Sequence, residues 1–517
     1  MSVMDYTTHG EVVEMQTGAI PVRLVRVPPE RLQVLCGAVD AQGGVLQALW
    51  ASDQRMTGGG FLLRIALQDD VGLVIVELAL PAESPSYPSI AGLFPAAGRM
   101  ERAAYDLLGV RAEASDQRPW IRHQAWSEDR FPLRHDFDLG PFGGPPADES
   151  YPFVRVTGDG VHELAVGPVH AGTIEPGHFR FSVVGEKVLR LEERLGYTHK
   201  GIEKRFAMLP AFGAERLAAR VSGDSAVAFS WAYCMALEMI CGISPPLRAL
   251  WLRALYLERE RIANHLGDLG ALGQDAGFGI ALAQFSRLKE NLIRANQSAF
   301  GARYLMDAVI PGGVATDLDE SRRWMLLAMI PGLESELSLL SEIYDDHAGL
   351  QDRFSGTGCV NPRLARQLGL VGLAGRASGQ GRDARRDPGY APYDTLDVHP
   401  AGSLEGDVRA RVSVRFQELF ESLRLSRILL ERLPSTPHRG PLPDKVPDGF
   451  GLGLVEGWRG PVLVSLETAG GTIHRCHPHD PSWQNWPVIE HAMIGNIVPD
   501  FPLINKSFNL SYSGQDL

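Results

Sequence analysis

The chain has 517 residues, of which 44% are hydrophobic, so it is long enough to form two or three domains. Its 62 acidic and 50 basic residues give a formal net charge of -12. This balance, together with the lack of a basic patch with interleaved aromatic residues, argues against nucleic acid as a partner.

The cysteines and the hydropathy of the chain indicate its redox compartment and its relation to a membrane. The five cysteines are scattered and never spaced as C-x-x-C, so they predict neither a disulfide framework nor an iron-sulfur site. A reducing compartment is the simplest context. No apolar run approaches the roughly 20 residues that cross a bilayer. We therefore expect no transmembrane segment in this chain and any attachment to a membrane to come through partners.

Three regions follow one another along the chain. Residues 1–139 alternate short apolar runs with turn residues, which predicts a small α+β domain. Residues 140–150 are rich in Gly and Pro, as is typical of a linker. Residues 151–517 begin with strand-like pieces that include a predicted turn at 185–187, and then become mainly helical. The long helical patterns cover residues 247–269, 280–307, 321–347 and 406–432.

The first region carries the motifs of a known subunit. Residues 100–110 read Met-Glu-Arg-Ala-Ala-Tyr-Asp-Leu-Leu-Gly-Val and resemble the Glu-Arg-Glu-x-x-Asp motif of the small peripheral-arm subunit of respiratory complex I. Residues 116–118, Asp-Gln-Arg, and residues 131–137, Phe-Pro-Leu-Arg-His-Asp-Phe, resemble its downstream elements. The resemblance implies a complex I peripheral-arm-like α+β domain over residues 1–139.

The second region resembles the large subunit of nickel-iron hydrogenases and the quinone-site subunit of complex I. Residues 220–225, Arg-Val-Ser-Gly-Asp-Ser, match the hydrogenase motif Arg-x-Cys-Gly-x-Cys, and residues 509–514, Asn-Leu-Ser-Tyr-Ser-Gly, match Asp-Pro-Cys-x-x-Cys. None of the four cysteine positions keeps its thiol. They are held by Ser222, Ser225, Ser511 and Gly514.

Nickel and low-spin iron require deprotonated sulfur ligands, which a serine hydroxyl cannot replace at neutral pH. The resemblance to formate hydrogenlyase large subunits, in which both modules are fused in this order, implies a mainly α hydrogenase-large-subunit-like domain over residues 151–517. A β-rich hairpin would introduce this domain. We expect no metal ligands, no cofactor bound by this chain itself, and no hydrogen chemistry.

The resemblance also implies site residues around the vacated metal position. His170 corresponds to a histidine of the quinone-facing loop in complex I, where an imidazole can donate to a carbonyl oxygen. Gly223 stands where that family has a tyrosine that donates to the quinone headgroup, which weighs against quinone binding. Glu175 corresponds to a proton-relay carboxylate. The alternative for Glu175 is a buried hydrogen bond to the backbone of a hairpin.

Arg459 corresponds to an arginine that overhangs the metal site in hydrogenases. Its guanidinium would either face an anionic or carbonyl ligand or pair with Asp224 or Asp516. The rest of the predicted binding surface consists of Ser222, Asp224, Ser225 and Ser511. Residues 475–480, Arg-Cys-His-Pro-His-Asp, contain potential zinc ligands. Neither histidine has the i,i+4 spacing of a helical metal site, and a structural or solvated role is predicted for them.

Two functions remain open. In the first, the chain is a peripheral subunit, on the cytoplasmic face of a membrane, of an ion-translocating oxidoreductase complex related to formate hydrogenlyase and NADH:quinone oxidoreductase. Its cleft would bind a quinone or another organic electron acceptor. An iron-sulfur small subunit would deliver the electrons, and membrane subunits would translocate ions. In the second, the cleft is silent and the chain is a structural coupler between those partners.

Overall fold

The computed structural model describes residues 5–14, 18–123, 126–138, 140, 151–170 and 174–517. Apart from residue 140, the predicted linker 140–150 lies outside the described residues. Within these ranges, no helix combines the length and the apolar character that crossing a membrane requires.

The described part of the chain contains fifteen strands and fifteen α-helices. Strands β1 to β15 are Glu11–Glu14, Val22–Arg26, Val45–Asp53, Phe61–Gln68, Leu73–Leu80, Ser86–Pro88, Arg111–Glu113, Val161–Val166, His178–Val184, Lys187–Arg194, Val309–Ile310, Gly313–Val314, Gly449–Glu456, Pro461–Ala469 and Thr472–His479. Helices α1 to α15 are Leu32–Ala41, Ala97–Leu108, Ile202–Phe206, Glu215–Ala218, Ala226–Cys241, Leu247–Asp275, Gly279–Phe300, Glu320–Asp346, Ala348–Phe354, Pro362–Leu368, Gly372–Arg376, Val408–Glu431, Ser482–Ala492, Phe501–Phe508 and Tyr512–Asp516.

The first region folds as the predicted α+β unit. Its sheet has the order β1-β2-β5-β4-β3, in which β2 and β5 are parallel and the other pairs are antiparallel. Helix α2 packs on β3, and β3 also lies against β14 and β15 of the second region. The edge strand is therefore covered by the rest of the molecule, which removes an exposed row of backbone groups.

The second region begins with a small sheet, in which the predicted turn at 185–187 connects two strands. Strands β9 and β10 pair antiparallel through a turn at 185–186, and Gly185 supplies the left-handed conformation with φ of 59°. Strand β8 pairs with the other edge of β9, so the hairpin belongs to a three-stranded sheet.

The long helical patterns are confirmed as α6, α7, α8 and α12, which pack together as a bundle. Helix α6 lies at its centre and is buried along most of its length. Two of its buried arginines are paired with carboxylates: Arg253 binds Glu238 at 2.6 Å, and Arg261 lies 3.4 Å from Glu258. Charges in such surroundings need partners, because desolvation otherwise makes them very costly.

The expectation of a mainly α second region with one β-rich hairpin is incomplete, because the structure adds an antiparallel sheet of β13, β14 and β15. Helix α5 packs across β13 and β14. This contact brings the loop that precedes α5 next to the segment that follows β13. Residues 222–225 and Arg459, more than 230 positions apart in the sequence, therefore meet at one place.

Candidate functional site

A cleft of about 690 Å³ opens between the end of β8, the loop before α5, the segment after β13 and the C-terminal helices α14 and α15. Six of the seven residues predicted from the sequence line it, and Ser225 lies next to it in contact with Asp224 and Arg459. The six lining residues are His170, Glu175, Ser222, Asp224, Arg459 and Ser511.

The loop 222–225 is held in place by α6. Ser225 precedes the first residue of α5 but makes no capping hydrogen bond with its side chain. The carboxylate of Glu260 instead accepts from the backbone amides of Val227 at 2.7 Å and Ala228 at 3.2 Å. A carboxylate satisfies the free amides of a helix N-terminus well. Burial raises the pKa of Glu260 to about 8, against the effect of these two amides.

Arg459 pairs with Asp224, one of the two partners expected for it. Nη1 lies 2.7 Å from Oδ1 and Nη2 lies 2.5 Å from Oδ2, which is a bidentate geometry. Its Nε donates to the carbonyl oxygen of Asn509 at 2.5 Å. Burial opposes the charge on Asp224, but Arg459 outweighs it and lowers the pKa of that carboxyl group. All three nitrogens of the guanidinium therefore have protein partners.

Asp516, the other expected partner of Arg459, has a different role. Its Oδ1 accepts from the amide of Gly196 at 2.8 Å, and its Oδ2 accepts from the amide and hydroxyl of Thr198 at 2.9 and 2.8 Å. Burial raises the pKa of Asp516, while the bonds from Thr198 act in the opposite direction. This carboxyl group fastens α15 onto the segment that follows β10.

Two of the serines at positions that match hydrogenase metal ligands form a hydrogen bond with each other. The hydroxyls of Ser222 and Ser511 lie 2.8 Å apart, and Ser222 also donates to Asp224 at 2.9 Å. Ser511 accepts from the amide of Gly514 at 2.9 Å and so caps α15. The hydroxyls therefore hold the tail against the loop before α5.

These residues do not fit a nickel-iron centre. Three of the four thiolate positions carry hydroxyls, and the fourth has no room for a side chain, because a Cβ on Gly514 would lie 2.5 Å from Oδ2 of Asp480. That oxygen is buried and has no hydrogen-bond partner within the described ranges. Over the same ranges, no group of three or more His, Cys, Asp and Glu side chains could hold a metal ion.

His170 and Glu175 flank residues 171–173, which lie outside the described part of the chain. His170 is half-buried, and its Nε2 is buried with no hydrogen-bond partner in the described part. Burial lowers the pKa of this imidazole, so the ring is neutral at pH 7. Glu175 is exposed, and its Oε2 accepts from the amide of Ser513 at 2.9 Å. Its backbone partner is thus on the tail, and not on a hairpin.

Three residues that the sequence analysis did not single out organise the inner end of the cleft. Asn509 adopts a left-handed conformation with φ of 46°, which Asn tolerates better than most residues. Its side-chain amide donates to Asp268 at 2.7 Å, and Asp268 binds Arg415 at 2.8 Å. The only sequence signal for these contacts was that Asn509 stands where the hydrogenase motif Asp-Pro-Cys-x-x-Cys has Asp.

The segment 475–480 has a structural role, as predicted. His477 binds Glu203 at 2.7 Å, and His479 binds Gln484 at 3.1 Å. Both imidazoles lie on one face of β15 and Cys476 on the other, because side chains alternate along a strand. The three potential ligands therefore do not converge.

Comparison with known proteins shows which family this chain belongs to. The family model of the respiratory-chain NADH dehydrogenase 30 Kd subunit matches residues 25–142, and that of the 49 Kd subunit matches residues 275–447. Formate hydrogenlyase subunit 5 of Escherichia coli (strain K12) is 31% identical over 484 residues, which are 92% of this chain and 85% of the relative.

Two further relatives cover less of the chain. The C/D subunit of NADH-quinone oxidoreductase from Bacteroides thetaiotaomicron is 28% identical over 419 residues, or 76% of this chain and 78% of that protein. A chain in the structure of the membrane-bound sulfane sulfur reductase, an archaeal respiratory membrane complex, is 27% identical, with a TM-score of 0.65 over 69% of this chain and 98% of that chain. The chain thus belongs to the family of formate hydrogenlyase subunit 5 and the fused C/D subunits of NADH-quinone oxidoreductase.

Proposed function

We propose that this chain is a peripheral subunit of a membrane-associated, ion-translocating oxidoreductase complex, and that its cleft binds a quinone or a related organic acceptor. Relatives named as subunits of formate hydrogenlyase, membrane-bound hydrogenase and NADH-quinone oxidoreductase support the first part. The cleft itself supports the second part. An iron-sulfur small subunit would supply electrons, membrane subunits would translocate ions, and the chain would lie on the cytoplasmic face.

The observation that carries the acceptor site is Nε2 of His170, which has no hydrogen-bond partner among the described residues and lies beside a cleft of about 690 Å³. A buried polar atom without a partner is costly, and a ligand oxygen would satisfy it. Because burial keeps the imidazole neutral, His170 would donate a hydrogen bond to a carbonyl oxygen and so stabilise the charge that develops on reduction. Arg459 is engaged with Asp224 and is proposed to shape the cleft.

Gly223 offers a clean test, because it lines the cleft and a Cβ there would meet no atom within 4 Å. Gly223→Trp would fill the cleft without disturbing the core, and Gly223→Ala is its matched control. We expect the tryptophan variant to reduce a short-chain quinone at least tenfold more slowly in the assembled complex, and the alanine variant to retain the parent rate.

His170→Phe and His170→Gln test the hydrogen bond separately, because only the amide can still donate. The phenylalanine variant should lose most of the quinone reductase activity, and the glutamine variant should keep a larger share of it. Assays with polysulfide as an alternative acceptor are informative, since one structural relative is a sulfane sulfur reductase. Parent rates with both acceptors for Gly223→Trp and His170→Phe would exclude the cleft as the acceptor site.

The alternative function, a silent structural coupler, is favoured by one specific observation. The contacts Arg459–Asp224, Asp224–Ser222 and Ser222–Ser511 join the polar side chains at the inner end of the cleft to one another. For a coupler, the Gly223→Trp complex would still assemble and would retain its turnover. Co-purification from native membranes, followed by mass spectrometry, would identify the iron-sulfur and membrane partners that both functions require.

A further inference from the structure

Another cavity, of about 220 Å³, lies between the helices of the bundle, away from the cleft. It is bounded by α6, α7, α8 and α12. Most of its wall is apolar and includes Ile262, Leu288, Leu292, Leu326, Ile330 and Leu423. It is smaller than the roughly 300 to 1,000 Å³ of pockets for drug-sized ligands, so it suits a small molecule and not a long lipid chain.

One wall carries the guanidinium of Arg259, whose residue is only 4% exposed. Its Nε donates to Oδ1 of Asn296, and its Nη2 donates to the carbonyl oxygen of Leu292 at 3.2 Å. Three of its five N–H donors remain, and in the described part of the chain no carboxylate lies within ion-pair distance. Its neighbours Arg253 and Arg261 on α6 both have carboxylate partners.

The same cavity holds a second unsatisfied group. The side-chain oxygen of Ser426 on α12 is buried and has no partner among the described residues. Glu336 also lines the cavity, but its charge is compensated by an ion pair with Arg287. Within the described ranges, Arg259 is therefore a buried cation without a carboxylate partner, and it lines the same cavity as an unpaired hydroxyl and an apolar wall. Burial lowers the pKa of its guanidinium to about 10, which leaves it charged at neutral pH.

We propose that this cavity binds a small organic carboxylate with a short apolar chain. The carboxylate would accept hydrogen bonds from Arg259 and Ser426, and the chain would lie along Ile262 and Leu292. A planar guanidinium fork matches a carboxylate, and the anion would supply the counter-charge that the buried cation lacks. An apolar pocket with a few converging polar groups is the usual form of a small-molecule site.

Calorimetric titration of the purified full chain with hexanoate tests the proposal, with acetate and 1-hexanol as comparison probes. We expect hexanoate to bind at least tenfold more tightly than either, because acetate lacks the chain and hexanol lacks the charge. Equal binding of hexanoate and hexanol, or no detectable hexanoate binding, would overturn the proposal.

Variants then assign the site. Arg259→Met should weaken hexanoate binding at least tenfold and leave hexanol binding unchanged, whereas Arg294→Met, which removes an exposed arginine from α7, should change neither. Circular dichroism checks that Arg259→Met is folded. Ser426→Ala, a milder change, should weaken hexanoate binding severalfold, and it decides the matter if the arginine variant does not fold. Parent affinity in a folded Arg259→Met or in Ser426→Ala would place the binding elsewhere.

Discussion

At the residue scale, the region that corresponds to the metal site of hydrogenases holds an ion pair and hydroxyls. The side chain of Arg459 is 5% exposed and that of Asp224 is 38% exposed, so the pair is desolvated mainly on the arginine side. Removing one member of such a pair leaves the other without its partner, which costs more than the intact pair contributes.

We therefore expect Arg459→Met to lower the free energy of unfolding by about 2 kcal/mol, less than for a fully buried pair because water reaches Asp224. The double variant Arg459→Met with Asp224→Asn should recover part of that loss, since no uncompensated charge remains. Urea denaturation followed by circular dichroism measures both. A double variant less stable than Arg459→Met would contradict this account.

The candidate residues were predictable from the sequence, but their contacts were not. The family motifs indicated His170, Glu175 and Arg459, because a motif identifies a residue by its position in the sequence. Which partner Arg459 would take depended on how two distant segments meet in space. The contact of Asp480 with Gly514 could not be predicted either, because residues 509–514 do not indicate that the side chain of Asp480 packs against them.

At the element scale, the packing of α5 on β13 depends on two glycines. A Cβ on Gly453 would lie 1.9 Å from the carbonyl oxygen of Ala232, and a Cβ on Gly451 would lie 2.1 Å from that of Ala236. The helix backbone therefore sits directly on the strand. This close approach sets the distance between the loop before α5 and the segment after β13, on which the cleft depends.

Gly453→Val should consequently be severely destabilising, by more than about 3 kcal/mol, because backbone atoms cannot yield as side chains do. Gly449→Ala on the same strand is the matched control, since its Cβ would meet only the side chain of Ile240 at 3.3 Å. Thermal unfolding of both variants measures the difference. Similar melting temperatures would show that α5 can shift away from the strand.

The elements themselves were predictable to different degrees. The helices α6, α7, α8 and α12 follow from apolar residues at helical spacing over long stretches. Strand β13 was missed because it reads Gly-Phe-Gly-Leu-Gly, and glycine has low strand propensity. Its glycines are there for the contact with α5, so tertiary packing overrides local preference.

At the scale of the whole molecule, the two regions share a buried interface. Trp50 of β3 stacks on His477 of β15 with ring centroids 5.3 Å apart, and Nε of Arg475 donates to the carbonyl oxygen of Ala51 at 3.0 Å. Behind them Glu203 accepts from His477 and pairs with Arg475, both at 2.7 Å. A charged cluster of the second region thus supports the surface that meets the first.

Because of Glu203, the contribution of this cluster to the stability of the protein should depend on pH. Burial opposes its charge, but Arg475 and His477 outweigh burial and lower the pKa to about 2. A carboxyl group whose pKa is lowered in the folded state stabilises that state. This contribution is complete above the pKa of the unfolded chain, about 4.3, and is lost as the pH falls toward 2. The pKa difference corresponds to about 3 kcal/mol at pH 7 and to about half of that at pH 3.

The stability difference between the parent and Glu203→Gln should therefore shrink by about 1.5 kcal/mol between pH 7 and pH 3. Urea denaturation at both pH values measures it. Glu163→Gln on β8 is the control, because that side chain is 37% exposed and its pair with Arg180 is open to solvent. A difference for Glu203→Gln that does not change with pH would contradict the lowered pKa.

The close approach of Gly514 to Asp480 opposes a hydrogenase-like set of four cysteines in this chain. Cysteines introduced at positions 222, 225, 511 and 514 would bring the last of them against a carboxylate oxygen 2.5 Å from its Cβ. Asp480 is itself fixed, since its Oδ1 accepts from the amide of Ser482 at 2.8 Å. Four cysteines at these positions would thus also need a change at Asp480, which lies outside both ligand motifs.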